Sequence, residues 1–421
     1  MPIHKVETII AGRTLSIETG ELAPQAEGAV VVRYGDTVVL STSVSADKAR
    51  EDASYFPLSV DIIERMYAAG KIKGSRFIKR EGRPSDWAIL TGRLTDRTLR
   101  PLFPKESRNE VQILSTLLSV DFTNEPEVLS IIGASAALSV SAAPFSGPVA
   151  AVKIGYLDDQ IIVNPTPEQL EKSKLDLVVA GTADAINMVE AGAHEVSESI
   201  IVEGLKIAHE EIKKIVALQQ ELIAKINPAK KEFTCKDVTP AKFEEIKSKY
   251  ANQIAARLDD DSYLRSDIPD LAIKHMFADL EDELVELVDE QSTVSDIQQG
   301  FFLAVREQIR ANILSRGQRP DKRALDQIRP IACQVGIIPR THGSALFTRG
   351  GTQALTITTL ASSSYEQILD DVNLEDEYKK RYIHHYSAMP YSVGEAGRVG
   401  IPKRREIGHG ALAERALEPV L

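Results

Sequence analysis

Two stretches of this chain repeat one another at a fixed spacing, and that repeat constrains the fold more than any other feature. A shift of 315 residues places Pro24 on Pro339, Gly28 on Gly343, Gly35 on Gly350, Thr37 on Thr352 and Leu40 on Leu355. A shift of 318 places the run from Asp96 to Leu102 on the run from Glu414 to Val420. Single matches arise by chance, but collinear Pro, Gly and helix-end matches over about eighty residues mark a duplicated unit.

The first copy shows what the unit is made of. Ala29–Val44 holds two runs rich in Val, Ser and Thr around Gly35-Asp36, the pattern of a β-hairpin. Pro84-Ser85 introduces Asp86–Leu99, whose Ile89, Leu90, Leu94 and Leu99 suit an amphipathic helix that Pro101 and Pro104 end. Ile131–Ala143, small apolar residues and Ser, reads as a helix packed tightly on the sheet. Strands are expected at Val149–Tyr156, Gln160–Val163 and Leu175–Ala180, followed by a long proline-free helical stretch from Ala185 to Ile226. From Pro228, polar segments alternate with short helices at Pro240–Leu258, Ile268–Leu287 and Ser295–Ser315; β-type alternation returns after Arg316. Four parts are therefore expected: 1–145 and 146–228 as the halves of a first core, 229–315 as an all-helical linker, and 316–421 as a second core. That second copy has no counterpart of the first copy's later half before Leu421. The sequence thus reads as α+β, a duplicated core with the second copy incomplete, and as a piece of a longer protein.

At 421 residues, the chain is too long for one hydrophobic core. With 43% hydrophobic and 26% charged residues and no run of eighteen apolar ones, it reads as globular with no membrane span. Its N-terminus lacks the order of a signal peptide, so a cytoplasmic location is expected. Cys235 and Cys333 stand far apart with no nearby partner, which supports neither a disulfide framework nor a zinc site. HExxH, GxSxG and GxGxxG after a strand are all missing, and His384-His385 has no spaced third ligand, so ordinary proteases, zinc hydrolases and dinucleotide dehydrogenases are poorly supported. The net charge of −11 argues against a nucleic-acid partner only when summed. Arg65–Lys105 is rich in Lys and Arg while Asp259–Asp296 is acidic, and a local basic patch can hold RNA. The acidic run from Asp279 to Glu286 reads as a solvated face.

Three constellations could carry chemistry. Phe77–Ser85, preceded by Lys71, Lys73 and Arg76, interleaves an aromatic ring with cations in a Gly-punctuated loop; a base can stack while phosphates are held, although a plain basic surface loop has the same composition. Pro402–Gly410 sets Lys403, Arg404 and Arg405 beside His409, and adjacent arginines on a loop offer forked donors for phosphate. Arg340–Gly350 combines Arg, Ser and Gly but lacks the Gly-Lys-Ser/Thr ending of a phosphate loop; a strand connection with His342 packing or capping a turn is preferred.

The blocks Phe77–Pro104, Arg340–Thr359 and Pro402–Leu417 resemble the polynucleotide phosphorylases of bacteria and organelles, and the resemblance runs from near Met1 to Leu421. Lys79–Ser85, Arg93–Arg97, Arg100–Pro104 and Lys403–Gly410 carry it. The resemblance implies two RNase PH-like cores of the ribosomal-protein-like α+β type, joined by an all-helical domain. It implies a polyribonucleotide nucleotidyltransferase, in which inorganic phosphate attacks the last phosphodiester of a single-stranded RNA 3′ end and releases a nucleoside diphosphate, reversibly. It also implies RNA contacts at Phe77, Lys79, Arg80 and Arg83, and active-site roles for Arg404, Arg405 and His409. A homotrimer, and an RNA-degradation complex with an endoribonuclease and an RNA helicase, are the partners implied. The family's Mg²⁺-binding aspartates, Ser-rich phosphate loop and KH and OB-fold domains correspond to nothing in these residues, so no metal ligand is assigned and the chain alone is expected to bind RNA weakly with little or no phosphorolysis. Ile78 stands where many relatives have a second Phe, Lys322 where Asp-Gly-Arg is usual, and Gly351 where an acidic residue is usual. The alternative is a naturally short, noncatalytic RNA-binding or assembly subunit.

Overall fold

The computed structural model describes residues 2–50, 55–72, 79, 82–105, 107–233, 238–260, 276–289 and 292–421. The chain divides into two compact units, Met1–Cys235 with Glu366–Leu421, and Lys236–Tyr365.

The first unit begins with strands β1 (His4–Ile10), β2 (Arg13–Thr19), β3 (Gly28–Tyr34), β4 (Thr37–Ala49) and β5 (Leu58–Ile63), followed by helix α1 (Asp86–Leu99), β6 (Asn109–Ser119) and helix α2 (Pro126–Val140). The six strands form one sheet in the order β1-β2-β3-β4-β6-β5, with β5 parallel to β6. The expected hairpin is β3–β4, in register from Tyr34↔Thr37 to Gly28↔Ser43. Its turn holds Gly35 at φ +60°, a conformation that costs glycine little. Helix α1 starts where the sequence indicates, because the Ser85 hydroxyl accepts the Ala88 N–H at 3.1 Å.

Every residue of α2 is buried, which is why its sequence has no polar face. Two of its serines, Ser130 and Ser135, have partners, the Ser130 hydroxyl donating to the Pro126 carbonyl at 2.9 Å. The Ser135 hydroxyl donates to Gln219 Oε1 at 2.9 Å and accepts the Val149 N–H at 2.9 Å. The chain continues through β7 (Ala150–Leu157), β8 (Gln160–Val163), helix α3 (Pro167–Lys172), β9 (Leu175–Gly181), β10 (Ile186–Ala193) and helix α4 (Glu198–Ile226), with the second sheet ordered β10-β9-β7-β8. Helix α2 contacts β3 and β4 of one sheet and β7 of the other, while α4 lies on β7, β9 and β1. Val30, Val32, Ile131, Ile132, Val152, Leu177 and Ile212 meet in the resulting core.

One expectation needs correction. Residues 186–193, read as the start of a long helix, are the edge strand β10, paired antiparallel with β9 from Ile186↔Gly181 to Ala193↔Leu175. Ala, Met and Glu favour a helix in isolation, but β9 offers a ladder for the backbone and a buried place for Met188. Tertiary pairing outweighs a propensity of a few tenths of a kcal/mol per residue.

The second unit contains helices α5 (Pro240–Asp259), α6 (Ala278–Glu283) and α7 (Val294–Arg316), then strands β11 (Ile331–Val335), β12 (Gly343–Arg349) and β13 (Thr352–Thr358). Ile246, Tyr250, Ile254, Leu284, Ile297 and Phe301 form its core, with Tyr250 edge-on to Phe301 at 5.5 Å. The hairpin β12–β13 is in register from Arg349↔Thr352 to Gly343↔Thr358, each pair 315 residues beyond its counterpart in β3–β4, and Gly350 has φ +59°. Lys322 sits at φ +62°, a turn that glycine would meet without strain. The remaining elements, β14 (Gln367–Leu369), β15 (Tyr378–Lys380) and helix α8 (Arg404–Leu417), belong to the first unit. Helix α8 has the bounds of α1 moved by 318 residues, and it packs on α1 itself.

Candidate nucleic-acid interface

The two repeated helices build the site. Expected on a loop, Arg404 and Arg405 instead occupy the first turn of α8. Glu406 closes that end: its carboxylate accepts the Lys403 N–H at 2.7 Å and the Ala388 N–H at 2.8 Å, holding the preceding segment onto the helix start. Successive helical residues point about 100° apart, so the two arginines diverge. Arg404 reaches back to strand β5, donating to Asp61 Oδ1 at 2.9 Å and to the Val60 carbonyl at 2.6 Å. Arg405 is exposed.

Where α1 and α8 pack, two glycines lie against guanidiniums. A Cβ on Gly92 of α1 would lie 2.8 Å from Arg404 Nη2, and a Cβ on Gly408 of α8 would lie 2.4 Å from Arg93 Nε. Each helix thus gives up a side chain where the other sends a guanidinium. Burial lowers the pKa of half-buried Arg93, and the neighbouring cations Arg404, Arg97 and Arg405 lower it further, with Asp96 opposing. Arg93 and Arg404 thus meet where α1 and α8 pack, with Arg405 near enough to act on Arg93, at a helix end that Glu406 closes. Forked donors in such a cluster suit phosphate oxygens.

His409, one turn on, is exposed, and its ring meets Tyr386 edge-on at 5.1 Å. Of the first block, Lys79 and Arg83 are exposed. Phe77 and Arg80, with Lys73, Arg76 and Ile78, lie outside the described residues. The end of that block is pinned to the start of α1, because Glu64 accepts the Ser85 N–H at 2.7 Å and the Ser85 hydroxyl at 2.8 Å. Lys71 serves the fold instead, since its ammonium donates to the Leu374 and Glu375 carbonyls at 2.7 and 2.6 Å.

His342 caps a connection, with Nδ1 accepting the Leu360 N–H at 2.8 Å. His384 Nδ1 lies 2.9 Å from the Tyr382 hydroxyl. Cys333 is a free, exposed thiol, and Cys235 lies outside the described residues. Among the described residues, no group of three or more His, Cys, Asp or Glu is arranged to hold a metal ion, and no helix is long and apolar enough to cross a membrane. Sequence reasoning did not single out Arg93 or Asp61 as site residues. The available signal was a cationic stripe, Arg93 and Arg97 at i and i+4, on a helix that otherwise faces a core.

Comparison with known proteins identifies the family. The family model for the 3′ exoribonuclease family, domain 1 (RNase PH), matches residues 11–144 and again 327–421, while the model for domain 2 of that family matches 147–211. The chain is 50% identical over 424 residues to a polyribonucleotide nucleotidyltransferase of Roseiflexus sp. strain RS-1, covering 100% of this chain and 56% of that protein. It is 51% identical over 428 residues to that of Thermomicrobium roseum (100% and 53%) and 48% identical over 412 residues to that of Bacillus subtilis (98% and 57%). The chain spans little more than half the length of these curated relatives. With the domain 1 model matching both copies of the repeat, the chain belongs to the 3′ exoribonuclease, or RNase PH, family.

Proposed function

We propose that these residues are the RNA- and phosphate-holding part of a polyribonucleotide nucleotidyltransferase, a phosphorolytic 3′-to-5′ exoribonuclease acting in RNA turnover. An oxygen of inorganic phosphate forms a bond to the terminal phosphorus, the bond from that phosphorus to the penultimate 3′ oxygen breaks, and a nucleoside diphosphate leaves; the reverse reaction extends the RNA. Such chemistry rests mainly on positioning and on stabilising charge. The observation that carries the reading is the cluster of Arg93, Arg404 and Arg405 at the start of α8.

In this reading, Arg404 and Arg405 hold phosphate or RNA oxygens, with His409 beside them, and Phe77, Lys79, Arg80 and Arg83 form the RNA track. Among the described residues no group is arranged to hold Mg²⁺, so no step is routed through a metal; this reading assigns the Mg²⁺ and the carboxylates that hold it to a part of the enzyme other than these 421 residues. The same reading takes 229–315 as an all-helical linker and 316–421 as an incomplete second core. It places the enzyme in the cytoplasm as a homotrimer, able to join an RNA-degradation complex with an endoribonuclease and an RNA helicase.

The test is to incubate the purified 421-residue chain with oligoadenylate and inorganic phosphate. RNA binding without release of ADP is expected. Phosphate-dependent ADP release would overturn the location of the carboxylates, and an absence of RNA binding at low salt would overturn the RNA reading.

A further inference from the structure

We propose that Glu190 is a positioning residue that sets α8, and with it Arg404 and Arg405, by gripping the same arginine of both repeats. Arg97 and Arg415 are equivalent under the 318-residue shift, and both point at this one carboxylate. Arg97 Nη2 donates to Glu190 Oε2 at 2.8 Å, and Arg415 Nη1 donates to Oε1 at 2.6 Å. The Glu190 side chain is only 12% exposed, so the two bonds are shielded from solvent on its side.

Strand β10 presents this contact in register. Alternate residues share one face of a strand. Met188 Sδ lies 3.3 Å from Arg97 Nη2, Glu190 takes both guanidiniums, and Gly192 lies beside the Arg415 stem, whose Cδ would be at van der Waals distance, 4.0 Å, from a Cβ there. The strand that sequence reasoning missed is thus the ruler against which the two helices are set. On α8, Arg404 and Arg415 are eleven residues apart, close to three full turns, so they leave the same face of the helix. Asp61 and Val60 hold that face at one end and Glu190 holds it at the other. Between them Gly408 lies against Arg93. Two anchors on one face fix both the rotation and the slide of α8, which one anchor cannot do. Electrostatics agree: burial by itself would lower the pKa of Arg415, but Glu190 first, then Glu127 and Asp176, raise it.

The consequence for RNA binding rests on the function proposed above; the consequence for Arg404 does not. Both are measured on the whole chain with Glu190→Gln, Glu190→Asp and Arg97→Met. Gln presents one acceptor and one donor to two donors, whereas Asp keeps the charge. The first readout is the rate at which phenylglyoxal modifies Arg404, followed by peptide mass. Glu190→Gln is expected to raise it about fivefold and Arg97→Met about twofold, as charge-assisted bonds are lost, while Glu190→Asp stays near wild type. The second readout is affinity for a labelled oligoadenylate, which should fall about tenfold in Glu190→Gln and recover in Glu190→Asp.

A folded Glu190→Gln protein with wild-type Arg404 reactivity and RNA affinity would overturn the proposal. So would equal loss in Gln and Asp with a matching fall in melting temperature, the mark of a merely structural role. If Glu190→Gln is poorly folded, Arg97→Met decides, since it removes one arm from a half-exposed position. Changed Arg404 reactivity in a chain whose wild-type form binds no RNA would uphold the positioning and refute the function.

Discussion

At Gly408 the needs of the helix and of the site separate. An alanine there should gain about 1 kcal/mol in helix propensity. Its Cβ would meet the far end of the Arg93 side chain, which can move aside. Gly408→Ala is therefore expected to leave urea stability unchanged or slightly raised while oligoadenylate affinity drops about threefold, by loss of one well-placed donor. A loss of stability without loss of binding would show that the glycine serves packing alone.

Lys153 is the opposite case. Its side chain is 8% exposed and is held by Glu125, by Glu127 at 3.0 Å and by Asp176 at 3.4 Å. Burial alone would push the ammonium pKa down, but the three carboxylates outweigh it and hold it well above its ordinary value. A base raised in the folded state contributes stability that is fully present at neutral pH and lost only as pH climbs through the alkaline range. Lys153→Met should cost about 3–5 kcal/mol at pH 7.5, because buried carboxylates lose their partner. Burial, and then Glu127, raise the pKa of Glu125 even with the lysine present, and losing the lysine removes what opposes them. Groups raised in this way add stability at low pH and lose it as pH rises, so the deficit should shrink between pH 7.5 and pH 5. Urea melts at the two pH values check this.

Among the elements, the two hairpins offer an internal control. Gly35 and Gly350 take the same left-handed conformation, so an alanine pays about 1 kcal/mol in either. At Gly35 the new Cβ would also come within 2.4 Å of Asn124 Nδ2 and 2.8 Å of Asp121 Oδ2, in a turn that those side chains bind together. At Gly350 the nearest atom is Arg329 Cδ at 3.0 Å. Gly35→Ala should therefore be the more destabilising by about 1 kcal/mol; equal losses in thermal melts would count against the described packing. The hairpins and α1 were legible in the sequence because their signals are local, namely Gly-Asp between β-type runs and a Ser N-cap before a periodic stretch. The edge strand β10 was not legible, because only β9 makes it a strand. The loop reading of Arg404 passed over a local signal instead, Glu406 three residues after Lys403, whose N–H its carboxylate accepts.

At the scale of the whole molecule, a chain of net charge −11 holds a guanidinium cluster because the two repeated helices bring Arg93 and Arg404 together. The repeat could be read from glycines and prolines alone, but the packing of α8 on α1, and the clamp of both by β10, depend on long-range contacts that no spacing encodes. If the cluster binds RNA phosphates, affinity must depend on salt through the number of phosphates neutralised. The most direct measurement is a salt titration of oligoadenylate binding, by fluorescence anisotropy, for the wild-type chain and for Arg404→Ala/Arg405→Ala. Each phosphate contact on a single strand contributes about 0.7 to the slope of log K against log salt, so the double variant should be shallower by about 1.4. Equal slopes and equal affinities in a folded double variant would contradict the assignment of these arginines to RNA.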